Sequence, residues 1–231
     1  MLIPFSTLFN RFRVRGVKKV LHVGANEGQE AAEYSRLGIK HVVWVEAHRP
    51  TFEKLVRNIH THLGRLHAMP TTIGEVELVP GNGELHYCVN ACVAEEDGRR
   101  VTFNVANNGA QSSSFLEFGT HSKEHPTVKF VDRVEMITKR LDTILRELGM
   151  EFDRSFLNMD LQGAEFLALV GLGNYLDQFD HVYLEVNEAE LYKGCVLVGE
   201  LDKWLADRGL QPKQVKMTGS GWGDKFYQRW A

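Results

Sequence analysis

The chain has 231 residues, of which 43% are hydrophobic, 25% charged and 10% aromatic, a globular composition that excludes a disordered or collagen-like chain. Lys plus Arg (27) against Asp plus Glu (30) leave a formal charge of −3, which argues against a surface built on phosphate-backbone contacts, so no nucleic acid is expected as a partner. The length suits a single domain, 1–231, able to bury a core without disulfide or metal staples.

The opening segment sets Phe5, Leu8, Phe9 and Phe12 at helical spacing, with Arg11, Arg13 and Arg15 between them. It reads as a helical extension, 1–18, docked on the domain, with a membrane-surface helix as the alternative. Lys19 to Val23 is an apolar strand ending at Gly24, Gln29 to Leu37 a helix stopped by Gly38, and His41 to Glu46 a second strand. Pro50 opens a helix to about His62, and Gly64 to Gly83 reads as loop plus a short strand. Glu84 to Val93, a turn at Glu95 to Gly98, and Val101 to Val105 read as a hairpin. Cys88 and Cys92 would then share one strand about 13 Å apart, too far to bridge.

Asn107 to Phe115 is a polar loop, Lys129 to Ile137 a strand, and Arg140 to Leu148 a helix ended by Gly149. Phe156 to Asp160 is a strand, followed by a helix from about Ala164. His181 to Val186 is a strand, Leu197 to Arg208 a helix closed by Gly209, and Val215 to Met217 and Lys225 to Trp230 are the last strands. Three cysteines fit a reducing compartment. No apolar run reaches the roughly 20 residues of a membrane span, and the first residues lack a cleavable leader pattern. The expected location is cytoplasmic, with no transmembrane segment.

Strands alternating with helices imply an α/β fold around a mostly parallel sheet, whose ligand sits beyond the carboxyl ends of the strands. Four such ends carry a glycine or a carboxylate: Gly24, Glu46, Asp160 and Glu185. Gly24-Ala25-Asn26-Glu27-Gly28 turns the first strand into a helix, and glycine there lets a ligand approach the backbone. The dinucleotide fingerprint needs a second glycine where Asn26 stands, so a cofactor without phosphates is favoured. Glu46, 22 residues after Gly24, is placed to accept bonds from two ribose hydroxyls, which NAD and S-adenosylmethionine both possess. Together the two features favour S-adenosylmethionine. At Asp160-Leu-Gln162-Gly163-Ala-Glu165, Asp160 or Glu165 is also placed to satisfy free helix amides.

Val20-Leu-His-Val-Gly-Ala-Asn-Glu-Gly28, Val43-Trp-Val-Glu-Ala47 and Asn158-Met-Asp-Leu-Gln-Gly-Ala-Glu165 resemble the FkbM family of S-adenosylmethionine-dependent methyltransferases. So do Asn107-Asn-Gly-Ala-Gln-Ser-Ser-Ser-Phe115, Leu184-Glu-Val-Asn187 with Leu191-Tyr192, and Trp222-Gly-Asp-Lys-Phe-Tyr227. The resemblance runs in order from about Lys19 to the C-terminus and does not cover residues 1–18. It implies the class I methyltransferase (Rossmann-like) fold: a three-layer sandwich around a mostly parallel seven-stranded sheet with an antiparallel last strand. It also implies an O-methyltransferase acting on a sugar hydroxyl of a nucleotide-linked, capsular or natural-product glycan, with S-adenosylhomocysteine as product. The Asn/Asp-Pro-Pro-Tyr/Phe motif of amino-directed relatives is absent, which argues against a nucleobase acceptor.

By the same resemblance, Gly24, Ala25, Asn26 and Gly28 hold the methionine end of the cofactor, with Asp160 beside it. Glu46 holds the ribose, and Asn90 and Ala91 lie near the adenine. Ser112, Ser113 and Ser114 sit at the mouth; Gln162, Asn187 and Tyr192 face the acceptor. The family often has Asp where His22 stands, so His22 is assigned no catalytic role. A sugar hydroxyl needs a base, and the candidates are His121, Asp160 and Glu185. A divalent ion on Asp160 and Glu185, or on His121 and His125, is conceivable but not favoured, so no metal is assigned. The competing readings are an NAD-dependent oxidoreductase and a non-catalytic module that binds S-adenosylmethionine. The oligomeric state is left open.

Overall fold

The computed structural model describes residues 2–12, 14, 16–63, 67–71, 74–81 and 84–230. The chain opens with α1 (Phe5–Arg11), β1 (Lys19–Val23), α2 (Ala31–Arg36), β2 (His41–Glu46) and α3 (Arg49–Leu63). Then come β3 (His67–Thr71), β4 (Gly74–Gly81), β5 (Glu84–Asn90), β6 (Cys92–Val93) and β7 (Arg100–Ala106). After a 23-residue connection that carries α4 (His121–Glu124), the chain forms β8 (Phe130–Lys139), α5 (Leu141–Glu147), β9 (Ser155–Met159) and α6 (Glu165–Leu172). It ends with β10 (Phe179–Asn187), α7 (Val198–Ala206), β11 (Leu210–Met217) and β12 (Trp222–Arg229).

The main sheet has the order β11-β12-β10-β9-β1-β2-β5-β4-β3. Its centre, β10-β9-β1-β2-β5, is parallel, and β12 runs antiparallel to both of its neighbours. The seven strands from β5 to β11 are therefore the mostly parallel α/β sheet with an antiparallel last strand that the resemblance implies. The central strands are apolar on both faces because helices cover both. Val20, Val42, Trp44, Phe156 and Tyr183 pack with α1, α2 and α3 on one side. Their alternates, among them Leu21, Val43, Leu157 and Leu184, pack with α5, α6 and α7 on the other. Chain order reverses between β2 and β9 around β1, so the crevice of an open α/β sheet falls at the end of β1, at Gly24.

The sequence-expected hairpin of Glu84–Val93 with Val101–Val105 does not form. β5 already has β2 on one side and β4 on the other, so it offers no free edge. β7 pairs instead with β8, from Arg100↔Ile137 to Ala106↔Phe130, and β6 adds to β8 in parallel. Cys88 and Cys92 consequently lie in different strands, and all three cysteines are buried. Where loop plus a short strand was expected, β3 and β4 form an antiparallel pair beside β5. Residues 64–66, 72–73 and 82–83 of that stretch, and Arg13 and Arg15 of the opening one, lie outside the described residues.

α1 is docked rather than exposed on its apolar side. Phe5 and Leu8 are buried, and the Phe5 ring lies 5.0 Å from both Tyr34 and Phe156. Among the described residues no helix is long and apolar enough to cross a membrane. Phe5→Ala should cost about 3–5 kcal/mol, as for other buried aromatics, measured by urea unfolding; an unchanged midpoint would return α1 to the membrane-surface reading.

Candidate active site

Gly24 is the pivot of the crevice. Its φ is +74°, and a Cβ there would lie 1.7 Å from the Asp160 carbonyl oxygen, so the loops after β1 and β9 touch backbone to backbone. The Gly24 and Ala25 amides both donate to the Val45 carbonyl, at 2.9 and 3.0 Å. The Glu46 carboxylate completes the stitch: Oε2 accepts the Asn26 amide at 3.0 Å and Oε1 the His48 amide at 2.8 Å. Burial pushes Glu46 up to about 7, and these backbone donors oppose the rise.

The carboxylates after β9 and in β10 form a second centre. Oxygens of Asp160, Glu165 and Glu185 lie within 4.8 Å of one another. Gln162, held at φ +54°, donates through Nε2 to Asp160 Oδ1 at 2.6 Å and Glu185 Oε2 at 3.0 Å. Its Oε1 accepts the Tyr192 hydroxyl at 2.7 Å. Glu165 folds back on its own helix start, where Oε1 accepts the Leu161 and Gly163 amides at 2.7 and 3.2 Å. Of the two carboxylates expected to satisfy helix amides, Glu165 does so, and Asp160 is left open to the cleft. Desolvation by the surrounding protein raises all three: Asp160 to about 6, Glu165 to about 7, and Glu185 well above the usual carboxylate range. Repulsion helps, from Asp224 and Glu30 at Asp160, from Asp160 at Glu165, and from Asp160, Glu165 and Asp224 at Glu185. They are the one group of three or more potential ligands among the described residues that could hold a cation; His121 and His125 belong to no such group.

The connection between β7 and β8 roofs the crevice. The Gly119 and Thr120 amides donate to the carbonyls of Leu191 and Glu190 at 2.7 and 2.8 Å, and the Lys193 amide to Glu117 at 2.8 Å, which pins the roof to the segment after β10. Ser112, Ser113 and Ser114 are buried in it. Ser113 Oγ accepts the Ala106 amide at 2.9 Å, and Ser112 Oγ accepts from Asn108 at 2.9 Å. His121 stacks on Phe118 with centroids 4.2 Å apart, next to His125 at 4.9 Å. Burial lowers His121 to about 4, and its Nδ1 has no hydrogen-bond partner.

These elements enclose a cavity of about 540 Å³, within the range of small-molecule sites. It brings together Gly24, Ala25, Asn26, Glu46, Ala91 and Asp160; it also brings Ser112, Ser113, Ser114, His121, Gln162, Glu185 and Tyr192 to the same wall. Three expected site residues do not line it. Gly28 serves packing: a Cβ would lie 2.6 Å from Leu55 of α3. Asn90 turns the chain after β5, donating to the Glu46 and Ala47 carbonyls at 2.8 and 2.9 Å. Asn187 is buried inside the end of β10, bridging to Leu197.

Asp224 and Tyr183, which the sequence reading passed over, do line the cavity, and the Tyr183 hydroxyl and the Leu2 amide both donate to Asp224. Asp224 stands inside the Trp222–Tyr227 motif, the one signal that pointed to it. His22 also reaches the wall, held by Tyr34 and Asn158 at 3.2 and 3.0 Å, and burial lowers it to about 3.

Residues 22–212 match the family model of the methyltransferase FkbM domain, and the chain belongs to that family. It is 25% identical over 179 residues to the 2-O-methyltransferase NoeI of Sinorhizobium fredii (strain NBRC 101917 / NGR234), a match covering 76% of this chain and 65% of that relative. The chain thus spans just under two thirds of the relative's length. Among solved structures it is similar to a putative methyltransferase, yhhF, from Escherichia coli, at 12% identity and a TM-score of 0.47, covering 97% of this chain and 83% of that one. It is also similar to magnesium protoporphyrin IX methyltransferase (ChlM) from Synechocystis PCC 6803 with bound SAM, at 8% identity and a TM-score of 0.49, covering 97% and 76%.

The buried acids give the protein a pH signature. Raised carboxylates mean that the folded chain holds more protons than the unfolded one, so stability is lost as pH rises through about 6 and 7. Buried histidines such as His22 and His121 act oppositely, and their contribution fades as pH rises about one unit above the ordinary histidine value of 6.5. Between about pH 7.5 and 8.5 the carboxylates dominate the slope. The melting temperature of the ligand-free protein should fall over that window, and Glu185→Gln should flatten the fall; a rising or flat wild-type curve would contradict the charge assignment.

Proposed function

We propose that this chain is an S-adenosylmethionine-dependent O-methyltransferase that acts on a sugar hydroxyl. The observation that carries the reading is one cavity with a buried carboxylate at the end of β2 and a carboxylate pair, joined by Gln162, at the ends of β9 and β10. The cofactor suits these residues. Each Glu46 oxygen takes one backbone donor and keeps acceptor capacity for a ribose hydroxyl. Ala91, Cys92, Val93 and Phe103 offer apolar wall for a purine, and Gly24 to Asn26 with Asp160 would take the methionine end. The 2-O-methyltransferase among the relatives supports oxygen as the acceptor atom.

When bound, S-adenosylmethionine supplies a methyl group on a sulfonium: the O–C bond forms as the C–S bond breaks, and the electron pair stays on sulfur. The chain's own task is to orient the acceptor and take its proton. Asp160 is the base in this reading. It opens to the cleft and, raised to about 6, is ionised at neutral pH yet still basic enough to receive a hydroxyl proton. Glu185, pushed higher, retains its proton beside it. Gln162 donates to both, so the pair keeps its spacing as protons move. His121, lowered to about 4, is a weaker base and sits on the roof, where its ring borders the acceptor side.

Asp160→Asn should lower kcat by about 100- to 10,000-fold and change S-adenosylhomocysteine affinity by less than about threefold. His121→Ala should cost less than about tenfold in kcat. Full activity of Asp160→Asn would move the base elsewhere. A thermal-shift series with S-adenosylhomocysteine and NAD tests the cofactor directly. At 100 times its dissociation constant a ligand adds about 2.7 kcal/mol, and this rise is expected with S-adenosylhomocysteine alone and absent in Glu46→Ala. A rise with NAD instead would overturn the cofactor assignment.

A further inference from the structure

The wall of the cavity has a one-sided charge. Among the described residues it includes five carboxylates, Glu30, Glu46, Asp160, Glu185 and Asp224, and neither a lysine nor an arginine. Lys225, next to Asp224 in sequence, pairs with Asp202 at 2.6 Å, and the Lys216 ammonium donates to the Leu2 carbonyl at 3.1 Å. The two roof histidines are the remaining titratable nitrogens on the acceptor side, and His121, the buried one, is neutral at pH 7.

Proteins hold phosphates with Arg or Lys, or with unspent amides at a helix start, and here five amides of the two loops at the cleft are spent within the fold. The start of α6 faces the cleft, but Glu165 already occupies its Leu161 and Gly163 amides. In the loop after β1, the Gly24 and Ala25 amides go to Val45 and the Asn26 amide goes to Glu46. What the acceptor side does offer is neutral: the amides of Asn108, Gln111 and Gln162, and the rings of Tyr192 and Trp222. Amides and carboxylates suit hydroxyl donors, and aromatic faces suit the C–H face of a pyranose.

We infer that the acceptor enters this cleft without phosphate or carboxylate: the reacting sugar belongs to a non-anionic glycoside, and a nucleotide-linked sugar is not the substrate. The inference rests on the sugar-hydroxyl reading above and narrows it. The ionised Asp160, with no lysine or arginine opposite it among the described lining residues, acts as a repulsive element against anionic acceptors, and specificity of this kind needs no extra contact with the correct one.

The test offers the full chain and S-adenosylmethionine a panel of hexoses and deoxyhexoses, each as methyl glycoside, nucleoside diphosphate sugar and uronate. Every arm is run with EDTA and with magnesium, because a divalent ion on Asp160, Glu165 and Glu185 would bridge to a diphosphate. Methyl transfer to a glycoside with kcat/KM at least about 100-fold above its anionic counterparts in both conditions is the expected result. Equal or better use of a nucleotide sugar or uronate, with or without magnesium, overturns the inference and leaves the sugar-hydroxyl reading standing. If no sugar is methylated while S-adenosylhomocysteine still binds, that reading fails instead. Calorimetric titration of the S-adenosylhomocysteine-loaded protein with uridine diphosphate and pyrophosphate then decides the charge claim on its own. No saturable binding into the millimolar range upholds it, and saturable binding below that range defeats it.

Discussion

Two backbones meet at Gly24 with no room for a side chain, and the architecture of the crevice follows from that contact. With a methyl group in place, the Asp160 carbonyl would be only 1.7 Å away. The loops after β1 and β9 would have to separate, carrying Asp160 and Gln162 away from the Glu46 side of the cleft. Parallel sheets put all their strand ends on one edge, but they do not bring two neighbouring loops into contact. Here the glycine does that. The Val45 carbonyl accepts two amides of the first loop, and the Glu46 carboxylate accepts one more, so the loop is fixed from the β2 side as well.

The same closeness sets an electrostatic cost. Bringing three carboxylates within 4.8 Å adds repulsion to the desolvation that raises Glu165 and Glu185, while Asp160 is raised by desolvation and by Asp224 and Glu30. Each is given a different task by its hydrogen bonds. Glu165 is spent on backbone amides and orders the loop; Glu185 is bonded inside the wall; Asp160 faces the cleft. Stability given up at neutral pH is thus exchanged for a carboxylate whose basicity lies near the working pH, a common arrangement at catalytic sites.

The sequence made two of the parallel strands legible to the residue, while β9 begins and ends one residue earlier than expected, β10 is longer at both ends and β5 stops at Asn90. β1 and β2 match their expected bounds because a strand buried on both faces is a short apolar run between polar ends. Strand partners were less legible. β7 was assigned to β5, although β2 and β4 occupy both of its edges, and no local pattern reports which edges are already taken. At the site, Glu46, Asp160 and Glu185 were readable as carboxylates at strand ends. Gly28 was misassigned because a glycine kept small for Leu55 looks like one kept small for a ligand. Tyr183 and Asp224 were missed because their meeting spans 41 residues and two strands, a juxtaposition that only the sheet order creates.

Strain is also concentrated where the chemistry is proposed. Asn26 and Gln162 stand at positive φ, +47° and +54°, on the two loops that meet at Gly24, and each such residue costs of order 1–3 kcal/mol. Glycine at either position would relieve the backbone. At 162 it would also remove the amide that donates to Asp160 and Glu185 and the oxygen that accepts Tyr192; the bond to the ionised Asp160 is worth about 1.5–3 kcal/mol and the two to neutral partners about 0.5–1.5 kcal/mol each. The bonds therefore outweigh the strain, and they run from the roof-side segment carrying Tyr192 to both carboxylates. Gln162 couples the Tyr192 side of the cleft to the two carboxylates through one side chain, and the bend of the loop sets that amide between them.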